Sequence, residues 1–300
     1  MSFTIASVNV NGIRAACKQR NENNPGMNAW LETTPADVVL MQEVRANPEQ
    51  TQKALAPALE AGWNLVQAES AAKGRAGVGI LSKHALGDVS VGFGSFAESG
   101  RFIAATVDGV RVASLYLPSG DTDSPKQDEK YLFLDEFSDV LDEMAVTYPE
   151  AVIGGDWNIC HRAQDLKNNK ANEKKSGHLP EERAVRDRAS GCCPADEQPQ
   201  DKKGLGDWLG VVDYETKTAW EAAKDPQWFD VARRLQPEAD GPYTWWTYRG
   251  QAFNNDAGWR IDYQAATKAM LERAQRTWVE KAPTVEERWS DHSPLLVEYK

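Results

Sequence analysis

Cysteine is scarce in this sequence, and its scarcity excludes one class of protein. The 300 residues include 4 cysteines, which form no CxxC pair and no dense disulfide framework. A small secreted scaffold held together by disulfide bonds is therefore excluded. A reducing cytoplasm fits this cysteine usage best.

Positive charge is also in short supply. Lysine and arginine number 34 against 45 aspartates and glutamates, which gives a formal net charge of -11. Such acidity argues against a protein that coats nucleic acid by bulk charge, although a local basic face is still compatible with it. It also leaves carboxylates available for metal ions.

Long apolar segments are lacking as well. No uninterrupted apolar run approaches the roughly 18 residues of a membrane-spanning helix. The first residues, Met-Ser-Phe-Thr-Ile, carry neither the charged nor the apolar region of a secretion signal. We therefore expect a soluble protein of a bacterial-type cytoplasm with no membrane partner. The length suits one large domain or two small ones.

Short apolar runs alternate with helical patterns along the chain. FTIASVNV and DVVLMQEV are typical of buried strands, and RFIAATVDGVRVASLYLP of a hairpin with its turn at Asp108-Gly109. Helical spacing follows Pro48 and resumes after Ser124. Further strands are predicted at GVGILSK, AVIGGDWNI, YTWWTYR, GWRIDYQAAT and PLLVEY. These mixed connections predict an α/β (α+β) layered sandwich with helices outside the sheets.

One polar segment interrupts this alternation. Residues 183–225 are rich in Asp, Glu and Lys, with GCCPADEQPQDKKG at their centre and a possible short helix around LGDWLG. A structureless loop of this length is unusual inside a compact domain. Two interpretations stay open: a solvated insertion and a contact surface for a partner.

Polar side chains recur where the predicted strands end. Loops at strand ends are where α/β scaffolds place functional groups. Taken singly, each of these residues has an ordinary structural explanation as a turn, a helix cap or a hydrogen-bonded histidine. Together they offer mostly oxygen donors, which suit Mg²⁺ or Mn²⁺ better than zinc. The set is Asn9, Asn11, Glu43, Tyr116, Asp156, Asn158, Asp262, Asp291 and His292.

The stretch VIGGDWNICH shows the two interpretations side by side. Its glycines, Gly154 and Gly155, are expected to let the chain turn tightly as the strand ends. Asp156 and Asn158 share one phase of the alternation, and Trp157 takes the other and is expected to pack in the core. Cys160 and His161 are expected to be bystanders.

The motifs in their order along the chain resemble one family. SVNVNGIRA, MQEVR, YLPSG, GGDWNI, YTWWTYR, GWRIDY and SDHSPL are similar to the motifs of the exonuclease III / AP endonuclease family. That family belongs to the endonuclease-exonuclease-phosphatase superfamily. The resemblance spans Ser7 to Leu296, and YTWWTYR with GWRIDY carries most of its specificity. It implies a four-layer α-β-β-α sandwich with two mixed sheets face to face, formed by residues 1–300 as a single catalytic domain and a monomer.

The resemblance also implies roles for the strand-end residues. The catalytic set would be Tyr116, Asp156, Asn158, Asp262 and His292. The Mg²⁺ site, which Mn²⁺ could also occupy, would be formed around Glu43 by Asn9, Asn11, Asp156, Asn158, Asp291 and His292. The substrate-binding set would be Trp245, Trp259 and Ile261, which would line a pocket for an abasic sugar, with Arg101 and Arg249 on the DNA backbone.

The implied activity is a Mg²⁺-dependent DNA-repair phosphodiesterase. It would cleave 5′ to abasic sites and carry 3′-5′ exonuclease or 3′-phosphodiesterase activity, so its partner would be double-stranded DNA with abasic sites or blocked 3′ ends. Two alternatives are a non-catalytic binder of damaged DNA and a phosphatase of the same superfamily. The lysines of residues 165–178 are candidates for phosphate contacts or for a solvated loop.

Two positions depart from the family pattern. Asn11 stands where some relatives have aspartate, which bears on the first shell of the metal site. Ser119 in YLPSG stands where relatives often carry an amide side chain, so the contact made there in the family is not carried over.

Overall fold

A computed structural model describes residues 3–190 and 223–300, and for residues 187–190 it describes the backbone alone. The strands are β1 Phe3–Asn9, β2 Val38–Gln42, β3 Asn64–Ala68, β4 Val78–Ser82, β5 Gly87–Val91, β6 Phe102–Val107, β7 Val110–Tyr116, β8 Ala151–Asp156, β9 Trp228–Asp230, β10 Asp262–Thr267, β11 Ala274–Val279 and β12 Leu295–Tyr299. The helices are α1 Ile13–Ala16, α2 Met27–Thr33, α3 Pro48–Ala54, α4 Ala56–Glu60, α5 Pro125–Thr147, α6 Asn169–Asn172, α7 Pro180–Ser190, α8 Val231–Leu235 and α9 Lys268–Arg273.

The strands form two six-stranded mixed sheets. The first sheet has the order β11-β12-β1-β2-β4-β3, and the second has the order β5-β6-β7-β8-β10-β9. Each contains one parallel pair, β1 with β2 and β7 with β8, while the other pairings are antiparallel. The predicted mixture of hairpins and crossovers is therefore confirmed.

Apolar side chains from both sheets meet in a shared core. Ile5 and Val38 of the first sheet lie in the same buried cluster as Ile103 and Val152 of the second. Helix α5 covers the outer face of the second sheet through a second buried cluster, which includes Phe137. Helices α2 and α4 cover the outer face of the first sheet through a separate cluster. The α-β-β-α sandwich expected from the sequence is confirmed.

The helix starts follow local signals in the sequence. Asn47 accepts a hydrogen bond from the backbone N–H of Gln50, whose side chain bonds back to the Asn47 N–H, and Pro48 occupies the first turn of α3. At α5, Ser124 caps the helix and Pro125 begins it. Both prolines lack the N–H that would have no partner at a helix start. Leu55 separates α3 from α4 where one helix was expected.

The two glycines of VIGGDWNICH lie at close contacts inside a strand, whereas a turn was expected there. Gly154 and Gly155 lie inside β8. A Cβ on Gly154 would lie 2.5 Å from Leu40 Cδ1 of the facing sheet, and a Cβ on Gly155 would lie 2.1 Å from the Leu115 carbonyl oxygen. The expectation of a tight turn was wrong, because these glycines permit close approach between neighbouring layers and strands.

Two other expectations about secondary structure need correction. YTWWTYR is not a regular strand: Trp245 makes single bridges to Trp259 and His292. The strand expected from GWRIDY begins only at Asp262.

The polar segment 183–225 lies largely outside the described residues, as does LGDWLG, but its first residues continue helix α7 rather than a loop. Within the described residues, no helix is both long enough and apolar enough to span a bilayer.

Candidate active site

The ends of the parallel strand pairs meet at one edge of the sandwich. In the first sheet Asn9 is paired with Gln42, the residue before Glu43. In the second sheet Tyr116 is paired with Asp156. Parallel strands end at the same edge of a sheet, and the face-to-face packing brings the two edges together.

Left-handed backbone turns several of these side chains into the site. Asn11, Glu43 and Asn158 have φ angles of 47°, 50° and 49°. Asparagine tolerates this conformation, whereas glutamate adopts it rarely. The Glu43 backbone is held there in part by the Gly12 N–H, which donates to the Glu43 carbonyl oxygen at 2.8 Å.

Asn9 joins the two sheets across the site. Its side-chain amide donates to Glu43 Oε1 at 2.8 Å and to Asp156 Oδ2 at 2.9 Å. Its own Oδ1 accepts from the Asn11 N–H at 2.9 Å. Asn9 is fully buried, so it lies beneath the carboxylates rather than at the surface of the site.

A second network runs along the first sheet. Asn11 donates through Nδ2 to Asp291 Oδ1 at 2.8 Å, and its Oδ1 accepts from Arg45 Nη1 at 2.8 Å. Arg45 also pairs with Glu43 through its other terminal nitrogen. In the sequence Arg45, which follows MQE, is one of several basic residues predicted as candidates for phosphate contacts. The asparagine at position 11 gives the arginine an amide oxygen where an aspartate would give a charge.

His292 is held between two carboxylates. Its Nδ1 lies 2.8 Å from Asp262 Oδ2, and its Nε2 lies 3.8 Å from Asp156 Oδ2. Burial alone would lower the pKa of His292, but the charge and hydrogen bond of Asp262 outweigh it and raise the pKa to about 10. The ring is therefore an imidazolium at neutral pH, a good hydrogen-bond donor to an anion.

Asp156 is almost completely enclosed. Burial raises its pKa from 3.8 to about 7; His292 opposes the rise and Asp262 adds to it. Its Oδ1 accepts the backbone N–H of Asn158 at 2.9 Å. A carboxylate with a pKa near neutrality is well matched to accepting a proton from water.

Tyr116 is a protonated phenol beside this pair. Burial raises its pKa well above the usual range, and the neighbouring charges of Glu43 and Asp156 raise it further. Arg101 stacks on the Tyr116 ring, with the guanidinium carbon 5.0 Å from the ring centroid. Arg101 thus lies behind the phenol, and its Nη2 also lies 3.7 Å from Glu129 Oε1.

Two tryptophans form an aromatic wall. Trp245 and Trp259 meet edge to face with centroids 5.9 Å apart. The Trp245 indole N–H donates to Asp291 Oδ2 at 3.0 Å, which fixes the ring next to the acidic side of the site. Ile261 belongs to the buried apolar cluster against which both tryptophans pack. The wall therefore offers an apolar surface with few hydrogen-bonding groups.

These groups surround a cavity of ≈ 620 Å³. The predicted residues that line it are Asn11, Glu43, Tyr116, Asp156, Asn158, Trp245, Trp259, Ile261, Asp291 and His292. Asn9 and Asp262 support these residues from below, and Arg101 supports them from behind Tyr116. Arg249 is exposed on a separate turn and does not line the cavity. Trp157 is buried against Phe137, away from it.

Other cavity residues come from two loops, and the second of these belongs to the predicted phosphate-contact segment 165–178. Thr122 follows β7, and Ser176 and Gly177 precede α7. Lys175, from the lysine-containing residues 165–178, also lines the cavity. The position of that segment directly after GGDWNI was the available signal for this placement.

Comparison with known proteins gives consistent matches over nearly the whole chain. A model of the Endonuclease/Exonuclease/phosphatase family matches residues 6–292. An exodeoxyribonuclease of Bacillus subtilis (strain 168) is 24% identical over 294 residues, which cover 97% of this chain and 97% of that protein. A DNA-(apurinic or apyrimidinic site) endonuclease of Dictyostelium discoideum is 25% identical over 297 residues, which cover 98% of this chain and 69% of that one.

The fold has a solved counterpart with a similar sequence. The structure of a 3′-5′ exonuclease from Neisseria meningitidis matches with a TM-score of 0.77 and 26% identity. The match covers 99% of this chain and 100% of the other.

Proposed function

The chain belongs to the Endonuclease/Exonuclease/phosphatase family, and from that premise we propose that it is a Mg²⁺-dependent DNA-repair phosphodiesterase. It cleaves double-stranded DNA 5′ to abasic sites, and the same site supports 3′-5′ exonuclease or 3′-phosphodiesterase activity. One observation carries the proposal: three kinds of group meet at a single cavity. They are the buried series Asp156–His292–Asp262, the carboxylates of Glu43 and Asp291, and the aromatic wall.

The donor chemistry fits a hard divalent cation. Glu43, Asn11 and Asp291 present carboxylate and amide oxygens to one side of the cavity. Asn11 is hydrogen-bonded to Asp291, and Arg45 joins Asn11 to Glu43. Oxygen donors of this kind are those that Mg²⁺ and Mn²⁺ prefer. When bound, the cation supplies charge neutralisation on the phosphoryl oxygens. The Arg45 pairing with Glu43 supplies positive charge at the same place.

Asp156 and His292 have complementary roles in this proposal. Asp156 accepts a proton from the attacking water, because its raised pKa suits it to that task and Asn158 lies beside it. His292, kept charged by Asp262, donates to a phosphoryl oxygen. Tyr116 keeps its proton and can give it to the leaving oxygen. Acid-base assistance of this kind contributes about 10²–10⁴-fold.

The aromatic wall supports selection of an abasic sugar. A flipped-out sugar without its base is small and poor in hydrogen-bonding groups, so Trp245, Trp259 and Ile261 select it by shape. An intact base would need polar partners that this wall does not offer. The aromatic wall therefore favours DNA repair over a lipid or nucleotide phosphatase.

DNA contacts outside the cavity come from local positive charge. Lys175 lines the cavity and Arg249 is exposed at a distance from it, which supports phosphate contacts by the first and DNA-backbone contacts by the second. Such contacts give affinity without sequence preference. We propose that the protein acts as a monomer with one catalytic domain, in the cytosol beside the chromosome.

The test is incision of a duplex with a single abasic site, in Mg²⁺ and in EDTA. We expect Mg²⁺-dependent incision on the 5′ side of the lesion and none in EDTA. Binding without incision would instead support the non-catalytic binder. Hydrolysis restricted to phosphate esters other than DNA would support the phosphatase.

A further inference from the structure

A fully buried ion pair lies directly behind the cavity wall. Lys130 of α5 and Glu182 of α7 meet at 2.6 Å, Nζ to Oε1, with both side chains completely shielded from solvent. A buried ion pair is weak support for stability, because desolvation of the two charges offsets their attraction. Its bonding partners therefore indicate what else it does.

Glu182 holds the loop that precedes α7. Its Oε2 accepts the backbone N–H groups of Gly177 at 2.7 Å and Leu179 at 3.0 Å. Its Oε1 accepts from Ser176 Oγ at 3.1 Å and from Gln127 Nε2 at 3.0 Å. Ser176 and Gly177 both line the cavity. One carboxylate thus fixes a whole segment of the cavity rim.

Lys130 joins two further segments to this carboxylate. Its ammonium donates to the carbonyl oxygens of Ser119 at 3.3 Å and Asn158 at 3.0 Å, besides Glu182. The three donors of the ammonium are therefore all used. Ser119 follows β7 and Asn158 follows β8, so one side chain joins loops from two strands and one helix.

Asn158 connects this pair to the reacting groups. Its backbone N–H donates to Asp156 at 2.9 Å and its side chain donates to the Leu117 carbonyl oxygen at 2.8 Å. With its carbonyl oxygen bound by Lys130, Asn158 is held at three points in its left-handed conformation. A shift of this residue would change the orientation of Asp156.

We propose that Lys130 and Glu182 are a positioning pair for the reaction, acting through Asn158 and Gly177 without touching the substrate. This inference rests on the proposed function for its effect on rate. The pair sets the distance between the carboxylate of Asp156 and the rim loop. Its removal therefore lowers the rate of chemistry rather than the affinity for DNA.

The test variant is the double substitution Lys130→Met with Glu182→Gln. Removing both charges together leaves neither one buried without its partner. Glutamine keeps one oxygen that can still accept a loop N–H, while methionine keeps the length of the lysine stem. The donations to Ser119 and Asn158 are lost.

Two controls separate positioning from general destabilisation. Arg273→Met with Glu150→Gln removes a partly exposed Arg–Glu ion pair, 2.8 Å from Nη1 to Oε2, that is remote from the cavity. Leu141→Ala weakens the core under the same helix α5, again without a cavity contact. Thermal midpoints of all variants identify which loss of activity follows from loss of stability.

We expect kcat on the abasic duplex to fall about 10²-fold in the Lys130/Glu182 double variant, with KM within about threefold of the wild type. Both controls should keep the wild-type kcat. A kcat within about twofold of the wild type in the folded double variant would overturn the inference, as would an equal loss of kcat in Leu141→Ala.

Two further measurements cover the remaining cases. If the double variant does not fold, Gln127→Leu removes one donor to Glu182, and a kcat identical to the wild type would count against the pair. If the wild type itself does not incise DNA, the proposed function fails. Hydrogen exchange then decides, because the pair requires faster exchange at residues 158–160 and 176–179 in the double variant. Unchanged exchange there would refute the positioning role.

Discussion

Replacing Asp156 with asparagine should lower activity and should raise stability relative to the wild type as the pH rises. The buried carboxylate has its pKa raised from 3.8 to about 7. The fold therefore favours its protonated form, and ionisation within the folded protein carries a free-energy cost. Asparagine cannot ionise, so the variant avoids that cost at high pH while losing the group that accepts the proton.

The sign and the magnitude follow from linkage. A raised pKa contributes stability that is complete below 3.8, declines as the pH rises, and is gone above about 7. Between about pH 5 and about pH 9 the wild type therefore loses about 3 kcal/mol of stability, a loss that the variant avoids. Asparagine also replaces one of the two accepting oxygens by a donor beside Asn9 and the Asn158 N–H, at a roughly pH-independent cost of about 1–3 kcal/mol.

The pH dependence of the stability difference is thus the decisive quantity. Urea unfolding of both proteins in EDTA, across this pH range, gives it without a contribution from bound metal. We expect the variant to gain about 3 kcal/mol relative to the wild type from the acid end to the alkaline end. An incision assay in Mg²⁺ should show a loss of about 10²–10⁴-fold. A pH-independent stability difference would refute the raised pKa, and unchanged incision would refute the role of Asp156.

Three other substitutions test separate parts of the site and fold. Glu43→Gln should raise the Mg²⁺ concentration for half-maximal incision by about tenfold or more; an unchanged titration would remove Glu43 from the metal site. Tyr116→Phe should lower kcat by about 10²-fold with little change in KM, and an unaltered kcat would exclude the phenol as a proton donor. Gly155→Ala should destabilise the protein by about 1–3 kcal/mol in urea unfolding, because its Cβ would meet the Leu115 carbonyl oxygen at 2.1 Å. Gly87→Ala, whose nearest contact would be 3.8 Å, is the control; equal losses would contradict the close-approach argument.

The sequence predicted the strands that carry strong apolar patterns and missed those that do not. The hairpin of β6 and β7 turns at Asp108 and Gly109 as expected, because alternating β-branched residues flank a turn dipeptide. Strand β5 went unrecognised: GDVSV at the sheet edge is exposed throughout, so burial leaves no alternation in it. YTWWTYR has strand-like composition, yet it forms no regular hydrogen-bond ladder. Single bridges from Trp245 to Trp259 and His292 hold it instead.

The identities of the candidate site residues were easier to predict than their bonds. Asn9, Asp156 and His292 stand out as polar residues at the ends of apolar runs. That Asn9 bridges Glu43 and Asp156 depends on the packing of two sheets, and these partners lie 34 and 147 positions away. Local periodicity holds no information at such separations.

The burial of the Lys130–Glu182 pair could not be predicted from the sequence either. In the sequence Lys130 belongs to the charged run DEKY, which is typical of a solvated helix face. Its partner lies 52 residues away in a segment that begins with polar residues. Both side chains are buried because α5 and α7 meet over the cavity loops. Their burial is a property of the tertiary arrangement and not of either helix alone.

The left-handed residues explain why chemistry is located at these strand ends. A left-handed residue ends strand pairing and turns the chain sharply, and at Asn11, Glu43 and Asn158 the residue's own side chain lines the cavity. Asn11, Asn158 and Glu43 do this in two different sheets, and the two edges face each other. For Glu43 the conformation is unfavourable, and it persists because Asn9, Arg45 and the Gly12 N–H hold it. The network that fixes the carboxylates is therefore also what maintains the strained backbone.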